Sequence, residues 1–580
     1  MGSLRRIVAM AAVIGLLPTF LVGRQALAEW DSDPLNTQLV LRHHYLCGLN
    51  DLPEEGIQGD VSKADQDSRR AEKGYNCGLA LVGHATLDHG GRPATGNANM
   101  AWAGNCAYVA GPGGGIAPQM YTPPAPANGV AVVDVHDPAH PKHVATLHGP
   151  DNPGANAVSE TINAVTTASG RSILVVGQYG NDIVVNPPGK PMDVYDVSNP
   201  DCSKYKHMGT YYWPANIHNL TISKDGNYVF ATIPLQAADI SGLWATPPTP
   251  VTYVGNIEKV MDGPPVATGP MADLDDNLPA EVRSQTHPTN SSHEAWPSPA
   301  WPAPDGKYYL YVGGQTPQYE IFSIMDITDW LTQRNPDGSS KGKPVMISQQ
   351  SGRGHSVRTA TIGGKPYILH SEESVFGTAY GCIPETANPF AGPAQPWLTD
   401  ISDPAQPHTV SQFGLEINDP KNCKEQVDSK ANQSVHYHDV DDPTDTTFVM
   451  ASMWNAGIRV FDVRDPAHPA EVGYFNPADV DPTATTKLDQ AWAHIHYVAK
   501  TGEIWFATAS GGFWVVRIEG QVRQYLGLDA KNVNHGLRPL NVSAADRGAP
   551  GTVGVTLSVP PLGYIDASPY YCTLAAARPA

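Results

Sequence analysis

The chain has 580 residues, and its 37 Lys and Arg against 57 Asp and Glu give a formal net charge of −20. This acidic balance argues against nucleic acid as a partner, because proteins that bind nucleic acid concentrate Lys and Arg on the contact surface. The 55 glycines, 53 prolines and only 16% charged residues are typical of a chain rich in turns, and the 41% hydrophobic content excludes a disordered chain.

The first 28 residues have the organisation of an export signal. Two arginines at positions 5 and 6 precede an apolar run over residues 7–22, and Ala-Leu-Ala at 26–28 provides a small-residue cleavage site. The arginine pair leaves both the general secretory route and the twin-arginine route open. No later stretch reaches the roughly 20 apolar residues that a membrane span needs. We therefore expect a periplasmic or secreted protein without a membrane span once the signal is cleaved.

All seven cysteines follow the predicted signal, in the part of the chain where disulfides are permitted. Loop context favours disulfides between Cys47 and Cys77 and between Cys382 and Cys423, although spacing alone does not fix the connectivity. Cys106 lies inside an apolar strand pattern, so we expect it to be a buried free thiol.

A strand-and-turn motif recurs along the chain. The sequence GVAVVDVHDPAHPKHVATLH at 129–148 returns as GIRVFDVRDPAHPAEVGYF at 457–475, with an alternating apolar strand, an Asp-Pro turn and a second strand. Weaker copies begin near residues 192, 237, 322, 397 and 514, which makes seven. Units of roughly 55–80 residues with about four strands each have the size of propeller blades. The repeat predicts an all-β, seven-bladed β-propeller over 78–527, between an N-terminal extension at 29–77 and a C-terminal extension at 528–580.

The ring has two candidate ways of closing. Residues 78–87 are similar to the outermost strand of a blade and precede the first inner strand, so they suit the seventh blade. Residues 521–526 would instead complete that blade from its own end. The sequence leaves both possibilities open.

The strings VAVVDVHDPAHP, VYDVSNP and IRVFDVRDPAHP resemble the repeats of the LVIVD-repeat family of exported β-propeller proteins. The resemblance covers roughly residues 78–520 and implies a bladed fold. Because the motif belongs to the framework of the blades, it implies no catalytic residues.

Histidines recur at the start of the predicted innermost strands, where side chains face the central channel. Aligning these strands places histidines from five blades at one position. They are His218, His293, His355, His436 and His494. His438 and His496 follow two residues after the last two of them, and the strand period of two puts each pair on one face. Several buried imidazoles repel one another when protonated, whereas a metal ion satisfies them all, so we predict that these seven histidines form a metal site.

Three acidic residues lie on or near the same strands. Glu160, Glu294 and Asp439 are the predicted catalytic residues, because a carboxylate beside an imidazole orients it or transfers its proton.

Copper is the expected cofactor. All-imidazole sites bind copper tightly, and copper is usually handled in the periplasm. The arrangement is similar in architecture to propeller metalloenzymes such as thiocyanate dehydrogenase, methanethiol oxidase of the selenium-binding family and nitrous-oxide reductase. This similarity implies an enzyme, a metal-dependent oxidoreductase that acts on a small molecule entering along the axis, with an electron acceptor in the cell envelope as a possible partner.

Two alternatives stay open. The first is a four-histidine non-haem iron oxygenase, with Trp296, Trp454 and Trp492 lining the approach of an apolar or aromatic substrate. The second is a non-catalytic binding or scaffold propeller, in which the channel histidines hold structural metal or water.

Overall fold

A computed structural model describes residues 38–87, 97, 99–111, 129–147, 162–177, 190–213, 219–232, 252–257, 260, 293–315, 320–333, 336, 341–342, 344–351, 354–371, 395–429, 431, 433–478, 489–528, 556–558 and 564–566. The predicted signal peptide, Glu160 and His218 lie outside these residues. Within them, every helix is too short or too polar to cross a membrane.

The strands form seven small antiparallel sheets arranged as a seven-bladed β-propeller, which confirms the predicted fold. Four strands precede the first blade: β1 (Gln38–Val40), β2 (His44–Leu46), β3 (Tyr75–Cys77) and β4 (Leu79–Ala85). Blade 1 contains β5 (Met100–Ala103), β6 (Cys106–Ala110), β7 (Val130–Asp134) and β8 (Lys142–Leu147). Blade 2 contains β9 (Ile162–Thr166), β10 (Ser172–Gly177), β11 (Lys190–Asp196) and β12 (Lys206–Trp213). The described part of blade 3 contains β13 (Asn219–Ile222), β14 (Tyr228–Thr232) and β15 (Thr252–Asn256).

The remaining four blades follow in chain order. Blade 4 contains β16 (Glu294–Pro297), β17 (Tyr309–Gln315), β18 (Glu320–Asp326) and β19 (Val345–Ser351). Blade 5 contains β20 (Ser356–Ile362), β21 (Lys365–Ser371), β22 (Pro396–Asp400) and β23 (His408–Phe413). Blade 6 contains β24 (Tyr437–Val440), β25 (Phe448–Ser452), β26 (Ile458–Asp462) and β27 (Ala470–Asn476). Blade 7 contains β28 (His496–Val498), β29 (Glu503–Thr508) and β30 (Gly512–Ile518), and two short strands follow, β31 (Thr556–Ser558) and β32 (Tyr564–Asp566).

The helices in the described residues are all short. They are Lys63–Asp67, Thr328–Thr332, Cys423–Ser429 and Gly520–Tyr525, with 3-10 turns at Ala71–Lys73, Glu416–Asn418 and Pro420–Asn422. The hydrophobic core lies between neighbouring blades, because the two faces of each sheet are covered by the next sheet on either side.

The aspartate of the repeated motif ends the third strand of five blades in the same way. Its carboxylate accepts the backbone N–H two residues further on, at 2.8–3.0 Å. These aspartates are Asp134, Asp196, Asp326, Asp400 and Asp462. In the same five blades the pairing of the third and fourth strands shifts register once. The repeat therefore encodes an Asx-type turn followed by a β-bulge.

The ring is closed by the N-terminal side of the chain. Strand β4 pairs antiparallel with β30, from Leu79 opposite Ile518 to Ala85 opposite Phe513, and so supplies the fourth strand of blade 7. This confirms the first of the two predicted modes of closure. The second is wrong, because Gly520–Tyr525 forms a helix.

Residues 38–77, here called the strap, cover the outer edges of two further blades. Strand β1 pairs in parallel with β23 of blade 5, and β3 pairs antiparallel with β27 of blade 6. An outer strand without a neighbour would leave its N–H and C=O groups open to pairing with other chains. The predicted N-terminal extension is thus built into the sheets of the propeller.

Two disulfides are present among the described cysteines. Cys47 is bonded to Cys77, as expected, and fastens the strap to itself. Cys106 is bonded to Cys202, so the predicted free thiol is wrong. The two residues are 96 positions apart, on β6 of blade 1 and after β11 of blade 2, and only the packing of these blades brings them together. The predicted partner of Cys423, Cys382, lies outside the described residues.

Candidate functional site

Three histidines start the innermost strands of consecutive blades in the same way. His293, His355 and His436 each immediately precede the first strand of blades 4, 5 and 6. Each of their backbone N–H groups donates to a carbonyl of the adjacent second strand, at 2.6–2.8 Å. All three side chains are fully buried. We call these residues the imidazole row.

The rings of the row lie side by side. The ring centroids of His293 and His355 are 3.8 Å apart, and those of His355 and His436 are 4.8 Å apart. Tyr437 continues the row, 4.6 Å from His436 and 4.0 Å from His494 of blade 7. Aromatic side chains from four blades are therefore in contact around the axis.

A buried arginine that sequence reasoning missed lies beside the row. Arg358, on β20 of blade 5, is only 3% exposed. Its Nη1 is 2.8 Å from the Glu294 carboxylate of blade 4, and its Nε donates to the Asp439 carboxylate of blade 6 at 2.9 Å. Its Nη2 is 2.5 Å from Nδ1 and 3.0 Å from Nε2 of His494 on blade 7. One guanidinium thus joins four blades across the axis.

Arg358 determines the charge states around it. Burial acts to raise the pKa of Asp439, but the Arg358 charge and bonds from His494 and the Ile495 N–H hold that pKa well below its usual range. Burial first, and the Arg358 charge second, lower the pKa of His494. At neutral pH the cluster therefore contains a charged guanidinium, an ionised Asp439 and a neutral His494.

The two predicted catalytic acids that the structure describes both belong to this cluster. Glu294 also accepts the backbone N–H of Val357 at 2.7 Å, and its carboxylate lies 3.6 Å from Nε2 of His494. Asp439 lies 3.6 Å from Nδ1 of the same ring. The two carboxylates therefore flank one imidazole and one guanidinium.

The signal for Arg358 was present in the sequence. It is the one charged residue in the strand SVRTATI of blade 5. A charge in a strand predicted to line the channel requires a buried partner, and Glu294 and Asp439 were available.

The second histidine of each predicted pair has an environment of its own. His438 is fully buried, and neither of its ring nitrogens has a hydrogen-bond partner. Burial, and after it the Arg358 charge, hold the pKa of His438 well below its usual range. His496 stacks on Trp102 of blade 1 at 4.4 Å and meets Trp505 edge-on at 5.0 Å.

The structure provides a partial fit to a metal ion. The row supplies adjacent imidazole nitrogens, a donor type that suits copper, iron or zinc. Among the described residues, however, the two groups that bring three potential ligand atoms within 4.8 Å of one another are Cys47 with Asp51 and Cys77, and Asp134 with His136 and Cys202. Both contain disulfide-bonded cysteines, which are not ligands. The row thus has the donor chemistry for a metal, but its three nitrogens do not converge on one point.

The three predicted tryptophans separate into two places. Trp454 and Trp492 contact each other, with ring centroids 4.9 Å apart, and lie 5.2 and 6.1 Å from His436. Trp296 is covered by the guanidinium of Arg358, whose carbon lies 3.7 Å from its ring centroid. The first two lie beside the row, and Trp296 supports the arginine.

Comparisons with known proteins do not assign the chain to a family. No family model matches the chain, and no curated protein matches it. Among solved structures, Sqt1 from Chaetomium thermophilum is 8% identical, with a TM-score of 0.36, over 75% of this chain and 97% of that one. A putative 6-phosphogluconolactonase from Bacteroides fragilis is 11% identical, with a TM-score of 0.38, over 68% of this chain and 90% of that one. Likeness at this level carries no argument, and the fold rests on the strand pairing of this chain.

Acid sensitivity is expected from the buried histidines. Burial lowers the pKa of His496 to about 3, against 6.5 for a free imidazole. Below pH 6.5 the unfolded chain therefore binds a proton that the folded chain does not, so the contribution of His496 is present above that pH and is lost as the pH falls. Each pH unit in this window costs about 1.4 kcal/mol.

Replacing His496 by phenylalanine keeps the stack on Trp102 and removes the titration. Between pH 6.5 and 5, we expect His496→Phe to lose about 1.5 kcal/mol less unfolding free energy than the natural protein. Denaturant unfolding at both pH values measures this. His408→Phe, which replaces an exposed imidazole of β23 in the same way, serves as the control. Equal pH dependence of the His496 variant and the natural protein would contradict the assignment.

Proposed function

We propose that the protein is a metal-dependent oxidoreductase of the cell envelope that holds copper on the imidazole row and acts on a small molecule. The observation that supports this best is the row itself, three buried imidazoles from consecutive blades with ring centroids 3.8 and 4.8 Å apart. Adjacent imidazoles offer nitrogen donors of the type that copper prefers. His218, at the aligned position of blade 3, is the further ligand we propose.

The neighbouring charges support a cation at this place. Arg358 carries one positive charge, whereas Glu294 and Asp439 carry two negative charges between them, so the buried trio sums to −1. Glu294 directly follows His293 of the row in the chain. A metal cation on the row would offset this charge in a medium of low dielectric constant.

His494 has a different role in this proposal. The guanidinium lies against both of its ring nitrogens, so a metal ion there would have to displace Arg358. With carboxylates 3.6 Å from Nδ1 and from Nε2 and the guanidinium against the same two atoms, His494 is held as a neutral ring beside the row, where it would serve as a positioning residue. Copper, when bound, would supply one-electron exchange.

Arg358 also bears on access. The guanidinium fills the space between Glu294, Asp439 and His494 of three other blades. We therefore propose that the small molecule reaches the row from the side that Arg358 does not occupy, and that electrons leave to an acceptor in the envelope.

Metal content of the chain purified from its native envelope without a histidine tag tests the proposal. We expect about one copper per chain by mass spectrometry, and at least a 100-fold loss of copper affinity in the double variant His355→Ala, His436→Ala, because the variant removes two of the three imidazoles of the row. His408→Ala, which removes an exposed histidine from blade 5, is the matched control and should keep its metal.

Each other outcome overturns part of the proposal. A double variant that still holds stoichiometric copper removes the row as the site. Iron in place of copper favours the four-histidine oxygenase. Absence of any transition metal, with full stability in chelator, favours a binding or scaffold propeller.

A further inference from the structure

Trp454 has a constrained position beside the imidazole row. It lies in the turn between β25 and β26, where the Met453 N–H donates to the Gly457 carbonyl at 2.8 Å. The carbonyl of Trp454 accepts the Ala491 N–H at 2.9 Å from the segment leading into blade 7. These bonds fix the indole between blades 6 and 7, next to His436.

The backbone of Trp454 is strained. Its φ is +41°, in the left-handed region that side chains with a Cβ avoid. Among the described residues, Arg69, an exposed residue after a short helix, is the other non-glycine with a positive φ. A bulky residue persists in such a conformation where its exact placement is useful, and this occurs most often at binding sites.

The indole N–H of Trp454 is buried without an acceptor. Trp454 is only 8% exposed, and its Nε1 has no hydrogen-bond partner. The neighbouring Trp492, in contrast, donates its N–H to the Asn97 carbonyl. A buried donor of this kind costs free energy unless something accepts from it.

Three other tryptophans share the buried, unpartnered N–H but not the position. Trp301, Trp397 and Trp505 pack against aromatic rings elsewhere in the blades. None of the three has a left-handed backbone, and their rings contact Tyr308, His370 and Phe513 rather than the imidazole row. Of these four tryptophans, Trp454 alone combines a strained backbone, an N–H without an acceptor and a contact with His436.

We propose that Trp454 and Trp492 form a binding site for a neutral aromatic molecule bearing a carbonyl oxygen. The oxygen accepts the Nε1–H of Trp454, and the aromatic ring of the ligand packs against the two indoles. A neutral ligand is favoured because the site offers one uncharged donor, the indole N–H of Trp454, and the faces of two indoles in contact. This inference rests on the proposed function in one respect, since it names the substrate class of the same site.

Three probe molecules separate the parts of this proposal. Acetophenone has both a ring and an acceptor, ethylbenzene has the ring alone, and cyclohexyl methyl ketone has the acceptor without an aromatic ring. Titrated against the full protein by ligand-observed NMR, acetophenone should bind about fivefold more tightly than either of the others, which is the worth of one neutral hydrogen bond or one aromatic contact.

The variant Trp454→Phe keeps an aromatic ring and removes the donor. In it, acetophenone and ethylbenzene should bind equally, whereas Trp301→Phe, which removes a buried unpartnered N–H elsewhere, should retain the fivefold difference. Equal binding of the three probes by the natural protein overturns the proposal even if the variant fails to fold. A fivefold difference that persists in Trp454→Phe also overturns it.

Metal analysis of the same samples keeps this inference distinct from the proposed function. If the chain contains no metal but still discriminates among the probes, the aromatic binding site is supported and the proposed oxidoreductase function is rejected. If the chain contains copper but does not discriminate among the probes, the aromatic binding site is rejected and the proposed oxidoreductase function stands.

Discussion

Replacing Arg358 by methionine is expected to lower the free energy of unfolding by about 3–5 kcal/mol, which is the usual cost of removing one partner from a buried ion pair. The change leaves the Glu294 and Asp439 carboxylates buried without their counter-charge and removes the guanidinium that joins blades 4 to 7. Denaturant unfolding, followed by tryptophan fluorescence, measures the loss. Lysine at this position keeps the charge but reaches fewer partners, so its effect should be intermediate.

Two comparisons make the Arg358 prediction specific. Arg69→Met removes an exposed arginine whose partner is Glu72, and it should leave the stability close to that of the natural protein, because ion pairs in water contribute little. Adding Glu294→Gln and Asp439→Asn to Arg358→Met should recover part of the loss, because no uncompensated charge then stays buried. Arg358→Met that is as stable as Arg69→Met would mean that the guanidinium does not hold the blades together.

Replacing Arg459 by methionine is expected to release the strap from blade 6. The Arg459 side chain is completely buried, lies 3.1 Å from the Glu471 carboxylate, and forms an ion pair with Glu54 of the strap. Its guanidinium also lies over the ring of Tyr474, 4.6 Å from the centroid. We expect a loss of about 3–5 kcal/mol, since two buried carboxylates lose their shared partner.

Hydrogen exchange locates the effect of the Arg459 change. Amides in residues 38–77 should exchange faster in Arg459→Met, while those in blades 1 to 4 should be unaffected. Arg517→Met removes a partly exposed arginine paired with Glu503 at 2.7 Å on blade 7, and it should leave hydrogen exchange in residues 38–77 unchanged. If the amides of the strap are equally protected in the natural protein and in Arg459→Met, backbone pairing alone holds the strap on the blades.

The sequence predicted the features that local patterns encode. The strand-and-turn motif identifies the blades because the same aspartate makes the same turn each time, as at Asp134 and Asp462. The alignment of histidines places His293, His355 and His436 at equivalent strand starts because strand phase is also local. Features that lie within one blade are therefore predicted well from the sequence.

Contacts between distant parts of the chain could not be predicted from the sequence. The bond between Cys106 and Cys202 and the ion pairs of Arg358 connect different blades, and nothing in the local pattern of one blade names its partner in another. His494 aligns in sequence with the histidines of the row, but its ring contacts Arg358 of blade 5. The local sequence of blade 7 does not indicate this contact. The metal assignment depends on such contacts and therefore stays a prediction.

The way the ring closes also sets an order of events during synthesis. Leu39 pairs with Gln412 and Leu79 with Ile518, so the first described strands wait for partners several hundred residues later. Strand β4 cannot be incorporated until β30 has left the ribosome, and contacts of such long sequence separation form slowly. Until then β4 has no partner in the sheet and is an open edge. A chain interrupted before residue 512 would therefore hold an incomplete ring with unpaired edges, the kind of species that chaperones retain and proteases remove.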